Sequence, residues 1–291
     1  NYVDCHNTGN FTLGEKAKVG CQTRWGGLVG KLEKSAKAGE EVYNIFNGCS
    51  NSGDIIIKGT ASDTQYTSLG GIYGSATGNT RIIILNGFTN SGDIIFEGKN
   101  NGVYKQDDTM QNRNFVTMGG LFGVVASSIV FSNEANPSWT GNVVNTGTIK
   151  FAGYCKNAVQ LGGLAGYLQS STPTITGGKF INTGDIICTG EYDNKYAQNG
   201  IGGIAGISDA NIDNAQVYCN ITARSFPYVG MVTGSARTET NKVTNCAVGG
   251  NWCVAYDEEE DVTIETKITS SNFYKYIYGR TADWTGVENY D

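Results

Sequence analysis

Residues 47–57 read Asn47-Gly48-Cys49-Ser50-Asn51-Ser52-Gly53-Asp54-Ile55-Ile56-Ile57. The centre of this stretch, Asn-x-Gly followed by a short apolar run, recurs along the chain. Its five copies begin Asn7-Thr8-Gly9, Asn51-Ser52-Gly53, Asn90-Ser91-Gly92, Asn145-Thr146-Gly147 and Asn182-Thr183-Gly184. Repetition of this kind predicts stacked units that bury one another's apolar faces.

A second motif, a Gly-Gly-aliphatic pentad, alternates with the first. Its copies are Gly26-Gly27-Leu28-Val29-Gly30, Gly70-Gly71-Ile72-Tyr73-Gly74, Gly119-Gly120-Leu121-Phe122-Gly123, Gly162-Gly163-Leu164-Ala165-Gly166, Gly202-Gly203-Ile204-Ala205-Gly206 and the degenerate Gly230-Met231-Val232-Thr233-Gly234. Successive copies start 28 to 49 residues apart. One repeat therefore holds one copy of each motif.

The strand after Asn-x-Gly shows which side chains face inward. Its first and third positions are apolar in every copy, whereas Thr12 and Lys150 occupy the middle position, which must therefore face outward. The inward columns are Phe11, Ile55, Ile94, Ile149 and Ile186; Leu13, Ile57, Phe96, Phe151 and Cys188; Cys5, Cys49, Phe88, Val143 and Phe180; and Leu28, Ile72, Leu121, Leu164 and Ile204. Each repeat then offers three short strands, and like residues stack at about 4.8 Å.

These features predict an all-β fold, a parallel β-helix of about six coils with long loop insertions. The Asn side chains are expected to bond their own bend and one another up the stack. The Gly two residues later is expected to supply a positive φ. Because Asn220-Ile221-Thr222 and Val248-Gly249-Gly250 stand near the place of the lost Asn-x-Gly, the coil is expected to become irregular after about residue 220.

The phased pair of motifs, most complete in Gly26-Gly27-Leu28-Val29-Gly30 and Asn51-Ser52-Gly53-Asp54-Ile55, resembles the GLUG-type repeat of bacterial surface proteins. The resemblance covers roughly residues 5–255. It implies a right-handed parallel β-helix, an extracellular position and an adhesin-like role, and it brings no catalytic motif.

Composition limits the classes of partner. The 291 residues carry a net charge of −6, which disfavours nucleic acid and anionic membranes as ligands. No apolar run is long enough for a transmembrane helix, so no membrane insertion is expected of this segment. We expect one elongated monomer, with the repeats in 1–255 and a C-terminal strand segment in 256–291 that caps the last coil or covers the outward row Ile56, Ile95 and Ile187.

Cysteines and the single histidine give no metal or catalytic pattern. Cys5 and Cys49 fall on one inward column, where stacked free thiols are expected, although their Cα spacing also permits a disulfide. His6 lies beside Cys5 and has no partners placed for a triad. The acidic runs Asp107-Asp108 and Asp257–Asp261 lack the spacing of a calcium loop. No catalytic residue, metal ligand or cofactor is predicted.

Tyrosines mark the insertions between the Asn-x-Gly strand and the next pentad. The insertions span roughly 59–68, 98–117, 153–160, 190–199 and 223–228, and they are expected to line up as one wall. The predicted ligand-binding residues are Tyr66, Tyr104, Tyr154, Tyr192, Tyr196 and Tyr228. Tyrosine gives a flat apolar surface with a polar tip, although each ring could instead pack on its own loop.

The resemblance implies a bacterial cell-surface adhesion protein, which we expect to be anchored to the outer membrane through a removed N-terminal segment. The tyrosines of the insertions favour binding of a host or environmental glycan or protein. The alternatives are a carbohydrate-active β-helix enzyme and a passive stalk. Stacked carboxylates on one face would favour the enzyme. The two outward rows beside the Asn-x-Gly bend contain one Lys and no acid; they are Thr12, Ile56, Ile95, Lys150 and Ile187, and His6, Ser50, Thr89, Val144 and Ile181.

Overall fold

A computed structural model describes residues 1–20, 23–33, 42–61, 66–77, 80–101, 115–126, 128–130, 142–169, 179–193, 199–224, 228–236, 242–255, 265–269, 271–272 and 277–280. These residues form β-strands and connecting turns, with no helix among them. All strand pairings in the described part are parallel except one at the C-terminal end. The chain is a parallel β-helix, as the repeat predicts.

Five strand columns, here called sheets A to E, run along the stack. Sheet A contains β1 (Tyr2–Val3), β2 (His6–Asn7), β7 (Val42–Asn51), β12 (Thr80–Asn90), β17 (Ser128–Val130), β18 (Val143–Asn145), β23 (Phe180–Asn182), β29 (Ala215–Tyr218) and the first half of β34 (Ala247–Ala255). Sheet B contains β3 (Phe11–Leu13), β8 (Ile55–Ile57), β13 (Ile94–Phe96), β19 (Ile149–Phe151), β24 (Ile186–Cys188), β30 (Ile221–Arg224) and the second half of β34.

Of the other columns, sheet C has two-residue strands, sheet D ends at the first glycine of the pentad and sheet E follows it. Sheet C contains β4 (Lys18–Val19), β9 (Thr60–Ala61), β14 (Lys99–Asn100), β20 (Tyr154–Cys155) and β25 (Glu191–Tyr192). Sheet D contains β5 (Thr23–Gly26), β10 (Tyr66–Gly70), β15 (Phe115–Gly119), β21 (Ala158–Gly162), β26 (Gly200–Gly202) and β31 (Val229–Gly230). Sheet E contains β6 (Val29–Glu33), β11 (Tyr73–Thr77), β16 (Phe122–Val125), β22 (Ala165–Leu168), β27 (Ala205–Ser208), β32 (Thr233–Ala236) and β36 (Tyr278–Arg280). A separate pair joins β28 (Ile212–Asp213) to β33 (Val243–Thr244).

Each coil thus has up to five strands, not the three that the sequence predicts. One additional column arises because each pentad lies between two strands, in sheets D and E, instead of forming one. The other is sheet C, whose strands have only two residues and show no alternation that a sequence pattern could reveal. Described parts of the predicted loop insertions form these strands. Sheet E has seven rungs, so the stack is one coil longer than the predicted six.

The register confirms the predicted columns. Ile94 lies between Ile55 and Ile149 in sheet B, and all three are buried. The middle residues Ile95 and Lys150 face outward, although Ile95 is half-buried rather than exposed. Phe11 is an exception: it continues the inward column but is 42% exposed, because it lies on the first coil and has a neighbour on one side only.

A ladder of asparagine side chains runs through the core of the stack, as predicted. In the first four residues of the ladder, Nδ2 donates to the Oδ1 of the Asn on the next coil, at 2.6 to 2.8 Å. In all five, Nδ2 also donates to the carbonyl of the Gly two residues later. The ladder contains Asn7, Asn51, Asn90, Asn145 and Asn182. Its amides satisfy buried backbone groups at the bend between sheets A and B.

Sheets A, B, D and E continue beyond residue 220, so the expected irregularity is wrong for these columns, whereas the described strands of sheet C end at β25. Val217 pairs with Asn182, and Val248 pairs with Val217, so valine takes over the ladder position. Asn220 belongs to another column, on the outside of the same bend. At this end of the ladder the Asn182 Nδ2 still donates to the Gly184 carbonyl, at 3.2 Å.

The glycine of Asn-x-Gly does not have the positive φ that the sequence analysis predicts. The described glycines with positive φ are Gly48, Gly87 and Gly250. Gly92 is needed for a different reason: a Cβ there would collide with the carbonyl of Gly53 on the preceding coil. The second glycine of the pentad has a similar role, since a Cβ on Gly71 would meet the Asn90 side chain. The two motifs occur together because the asparagine packs directly on this glycine.

Described parts of the C-terminal segment lie on the last coil. Strand β35 (Glu265–Ile268) pairs antiparallel with β34, and β36 stacks in parallel on β32. Val232 donates its N–H to the Ile277 carbonyl, so Ile277-Tyr278-Gly279 continues the pentad column that the sequence analysis ends at Gly234. These parts extend the stack at its end and do not lie along the Ile56 row.

The cysteines of the described residues are thiols, as expected for Cys5 and Cys49. Cys49 Sγ donates to the Tyr2 carbonyl at 3.4 Å. Burial raises the pKa of the Cys155 and Cys219 thiols to about 12 and raises that of Cys188 further. These thiols are therefore protonated at neutral pH and act as small apolar core residues.

Candidate functional site

The six predicted tyrosines do not share one column. Tyr104 and Tyr196 lie outside the described residues. Tyr66 begins strand β10 of sheet D, and Tyr228 immediately precedes β31 of the same sheet. Tyr154 and Tyr192 both lie in sheet C, on adjacent coils.

Tyr154 and Tyr192 face opposite sides of sheet C. Tyr154 pairs with Glu191, whereas Tyr192 pairs with the buried Cys155 and packs against the core. A one-residue offset between neighbouring strands puts side chains on opposite faces. Of the two predicted tyrosines in sheet C, only Tyr154 is directed outward.

The outward surface around Tyr154 is the strongest candidate site, and we call it the B–C face. It comprises outward residues of sheet B (Ile56, Ile95, Lys150, Ile187), outward residues of sheet C (Lys18, Thr60, Lys99, Tyr154, Glu191), and their neighbours Lys58, Glu97, Lys156 and Asp193. Its rows come from successive coils, so they are spaced at about 4.8 Å.

Three charged side chains, Lys58, Glu97 and Lys150, form two ion pairs on the part of the B–C face beside sheet B. Glu97 Oε2 is 3.8 Å from Lys58 Nζ, and Glu97 Oε1 is 3.6 Å from Lys150 Nζ. The three residues come from three successive coils and are partly exposed. Exposed ion pairs stabilise a fold by under about 1 kcal/mol, so their main consequence is to place charges of both signs beside the half-buried Ile95.

The Tyr154 hydroxyl donates to Asp193 Oδ2 at 2.6 Å. This hydrogen bond orients the tip of a half-buried, outward-facing ring on strand β20. It also favours the protonated phenol, and it is the largest cause of the rise of the Tyr154 pKa to about 12.

The Tyr154 phenol should therefore ionise late in the folded protein. Because its folded pKa is raised, the hydrogen bond contributes stability below about pH 10, and this contribution is lost as the pH rises through about 12. Phenolate absorbance of the wild type minus that of Tyr154→Phe should appear near pH 12. In an Asp193→Ala background it should appear near pH 10; the same late onset there would show that Asp193 is not the cause.

A second outward column, which we call the corner column, is not among the columns predicted from the sequence. It follows Asn-x-Gly and comprises Asn10, Asp54, Asp93, Thr148, Asp185, Asn220 and Asn251. Asp93 Oδ1 accepts the Thr148 N–H at 2.7 Å, and Asp54 Oδ1 accepts the Asp93 N–H at 2.9 Å. The signal was the Asp or Asn that directly follows most copies of the motif.

Each carboxylate in the corner column accepts a hydrogen bond from a backbone N–H of the next coil. Asn10 and Asn220 make the same contact as the aspartates, so a negative charge is not required there. The stacking of Asp54 on Asp93 is therefore explained by structure and does not by itself indicate the enzyme alternative.

Substitutions of Asp93 should separate the effect of its hydrogen bond from the effect of its negative charge. Asp93→Ala removes the acceptor for the Thr148 N–H and should lower the free energy of unfolding by about 1–2 kcal/mol. Asp93→Asn keeps an acceptor and should change it by under about 0.5 kcal/mol. Urea unfolding of both variants measures the difference. Equal losses would mean that the carboxylate charge, and not the hydrogen bond, is what matters.

Other candidate chemistry is limited. The exposed His6 Nδ1 is 2.8 Å from Ser50 Oγ, a surface pair between adjacent coils. Within the described ranges, no cluster of three or more His, Cys, Asp and Glu side chains could hold a metal ion. Both acidic runs of the sequence lie outside those ranges. The part of the chain that is described also contains no helix of the length and hydrophobicity needed to cross a membrane.

The chain matches no family model, no curated protein and no solved structure.

Proposed function

We propose that this chain is a non-catalytic extracellular binding protein that presents the B–C face to a glycan. The observation that carries the proposal is the outward Tyr154 ring, hydrogen-bonded to Asp193, among charged groups and half-buried isoleucines on successive coils of the stack. A flat apolar ring beside hydrogen-bonding groups suits a sugar, which has an apolar ring face and polar edges.

The repeated geometry supports an elongated ligand. Because neighbouring rows belong to successive coils, one chain of sugars could contact several coils at once. Weak contacts that are made together give useful avidity on a surface. The resemblance to GLUG-type repeats supports display on a bacterial cell surface, with adhesion as the role.

The test is a glycan and protein array probed with the purified chain and with three variants. Tyr154→Ala removes the ring and should abolish or strongly reduce glycan binding. Tyr154→Phe keeps the ring but loses the bond to Asp193, and should bind with intermediate affinity. Tyr218→Ala is the matched control, since Tyr218 is an exposed tyrosine on sheet A.

Each alternative has a distinct outcome on the array. Binding to protein spots alone would favour a protein ligand, and depletion of a bound glycan with release of shorter products would favour the enzyme. No binding to any spot by the wild type would favour the passive stalk. Equal effects of Tyr154→Ala and Tyr218→Ala would place the site elsewhere.

A further inference from the structure

Three lysines of the B–C face have no salt bridge to any carboxylate that the structure describes. Lys18 and Lys99 are exposed and lie in the outward column of sheet C, with Thr60 between them. Lys156 lies two residues after Tyr154 and is half-buried. All three ammonium groups therefore remain available to a ligand.

The carboxylates of the same face are mostly engaged. Glu97 is paired with two lysines, and Asp193 accepts the Tyr154 hydroxyl; Glu191 is the third. The five lysines and three carboxylates of this face give it a surplus of two positive charges, in a chain whose net charge is −6. The surplus lies toward sheet C, because the carboxylates of Asp54, Asp93 and Asp185 in the corner column border the sheet B side.

Charges on this face repeat along the axis of the stack. Lys18 and Lys99 are separated by two coils, or about 10 Å, and Tyr154 follows on the next rung. A ligand that satisfies them must carry negative charges at intervals along its length, with a surface between them that can lie on the tyrosine ring.

We propose that the ligand is a linear acidic polysaccharide whose carboxylates bind Lys99 and Lys156 while one sugar ring lies on Tyr154. The proposal rests on the proposed glycan-binding function and adds the chemical class of the glycan. Exposed carboxylate and lysine pairs are individually weak, so several coils must contribute together.

A nucleic acid fits this face less well. Its phosphates follow one another at about 3.4 Å per strand, and sites for single strands offer several aromatic rings for stacking. Here a single outward tyrosine offers one stacking surface, and its neighbours Glu191 and Asp193 can accept hydrogen bonds from the hydroxyls of a sugar, which a DNA strand lacks. The mixed charge therefore favours a polymer that carries both carboxylates and hydroxyls.

The experiment measures binding of alginate, polygalacturonate and hyaluronate oligosaccharides, with cello-oligosaccharides of equal length as the neutral comparison and oligo(dT) as the nucleic acid. At least one acidic oligosaccharide should bind at low salt and weaken as salt rises. The double variant Lys99→Glu/Lys156→Glu should lower that affinity by about tenfold or more.

The matched control is Lys179→Glu/Lys242→Glu, which makes the same change of charge at exposed lysines away from the B–C face and should leave binding unchanged. Circular dichroism and melting temperature establish that both double variants are folded. If cello-oligosaccharides bind as well as the acidic ones and Lys99→Glu/Lys156→Glu has no effect, the inference is overturned while the proposed function stands. If no glycan binds, both fail. If oligo(dT) binds more tightly than every oligosaccharide, the face is a nucleic-acid site and the inference is wrong.

Discussion

Replacing Ile94 by Asp should unfold the protein. Ile94 is fully buried between Ile55 and Ile149, and no cation is available to pair with a new carboxylate in this apolar column. Burying an unpaired charge without a hydrogen-bonding partner costs several kcal/mol, so we expect a loss of at least about 4 kcal/mol. Circular dichroism and urea unfolding measure it.

The adjacent residue provides the control. Ile95 is half-buried and faces outward, next to Lys150 on the following coil. Ile95→Asp should therefore lower the free energy of unfolding by under about 1.5 kcal/mol. If Ile95→Asp were as damaging as Ile94→Asp, the assignment of inward and outward positions in sheet B would be wrong.

The second large effect is expected at the centre of the asparagine ladder. Asn90 Nδ2 donates to Asn145 Oδ1 and to the Gly92 carbonyl, and Asn90 Oδ1 accepts from Asn51 Nδ2. Asn90→Ala leaves these buried groups without partners, at about 1–3 kcal/mol each. Because neighbouring groups can partly relax, we expect a total loss of about 3–5 kcal/mol.

Asn7→Ala is the comparison for this prediction. Asn7 is at the first rung, only half-buried, and makes its ladder bond with Asn51 alone. Its removal should lower the free energy of unfolding by about 1 kcal/mol, since water can reach the groups it leaves. Thermal and urea unfolding of the two variants should differ accordingly; equal losses would mean that the ladder contributes no more inside the stack than at its end.

The inward columns could be predicted from sequence because they depend on short-range alternation and on repetition. Thr12 and Lys150 were enough to orient the sheet B strands, and the asparagine ladder followed from the chemistry of a buried bend. Sheet C could not be predicted in this way. Its strands contain two residues each, so only pairing with neighbouring coils reveals them.

Predictions based on residue type alone were less successful. The loss of asparagine after Asn182 suggested irregular coiling, yet Val217 fills the same position against Gly203. Tyr154 and Tyr192 looked equivalent as tyrosines of two insertions, but their pairing differs by one residue and sends them to opposite faces. Which side chain reaches solvent depends on the register between coils, which distant parts of the chain determine together.

The corner column, in contrast, could have been predicted, because the sequence has an Asp or Asn directly after most copies of Asn-x-Gly. Asp54, Asp93 and Asp185 each follow an Asn-x-Gly, at the same place where Asn220 later stands. Reading that position as one column of hydrogen-bond acceptors would have predicted its role in stacking. It also explains why stacked carboxylates occur here without indicating catalysis.

Lysine acetylation footprinting with and without the glycan identified on the array tests the binding surface most directly. Lysines that a bound ligand covers react more slowly, and mass spectrometry reads each one separately. We predict protection of Lys58, Lys99, Lys150 and Lys156, with unchanged reaction of the exposed Lys179, Lys242 and Lys267. Protection of the second group without the first would contradict the assignment of the B–C face as the binding site.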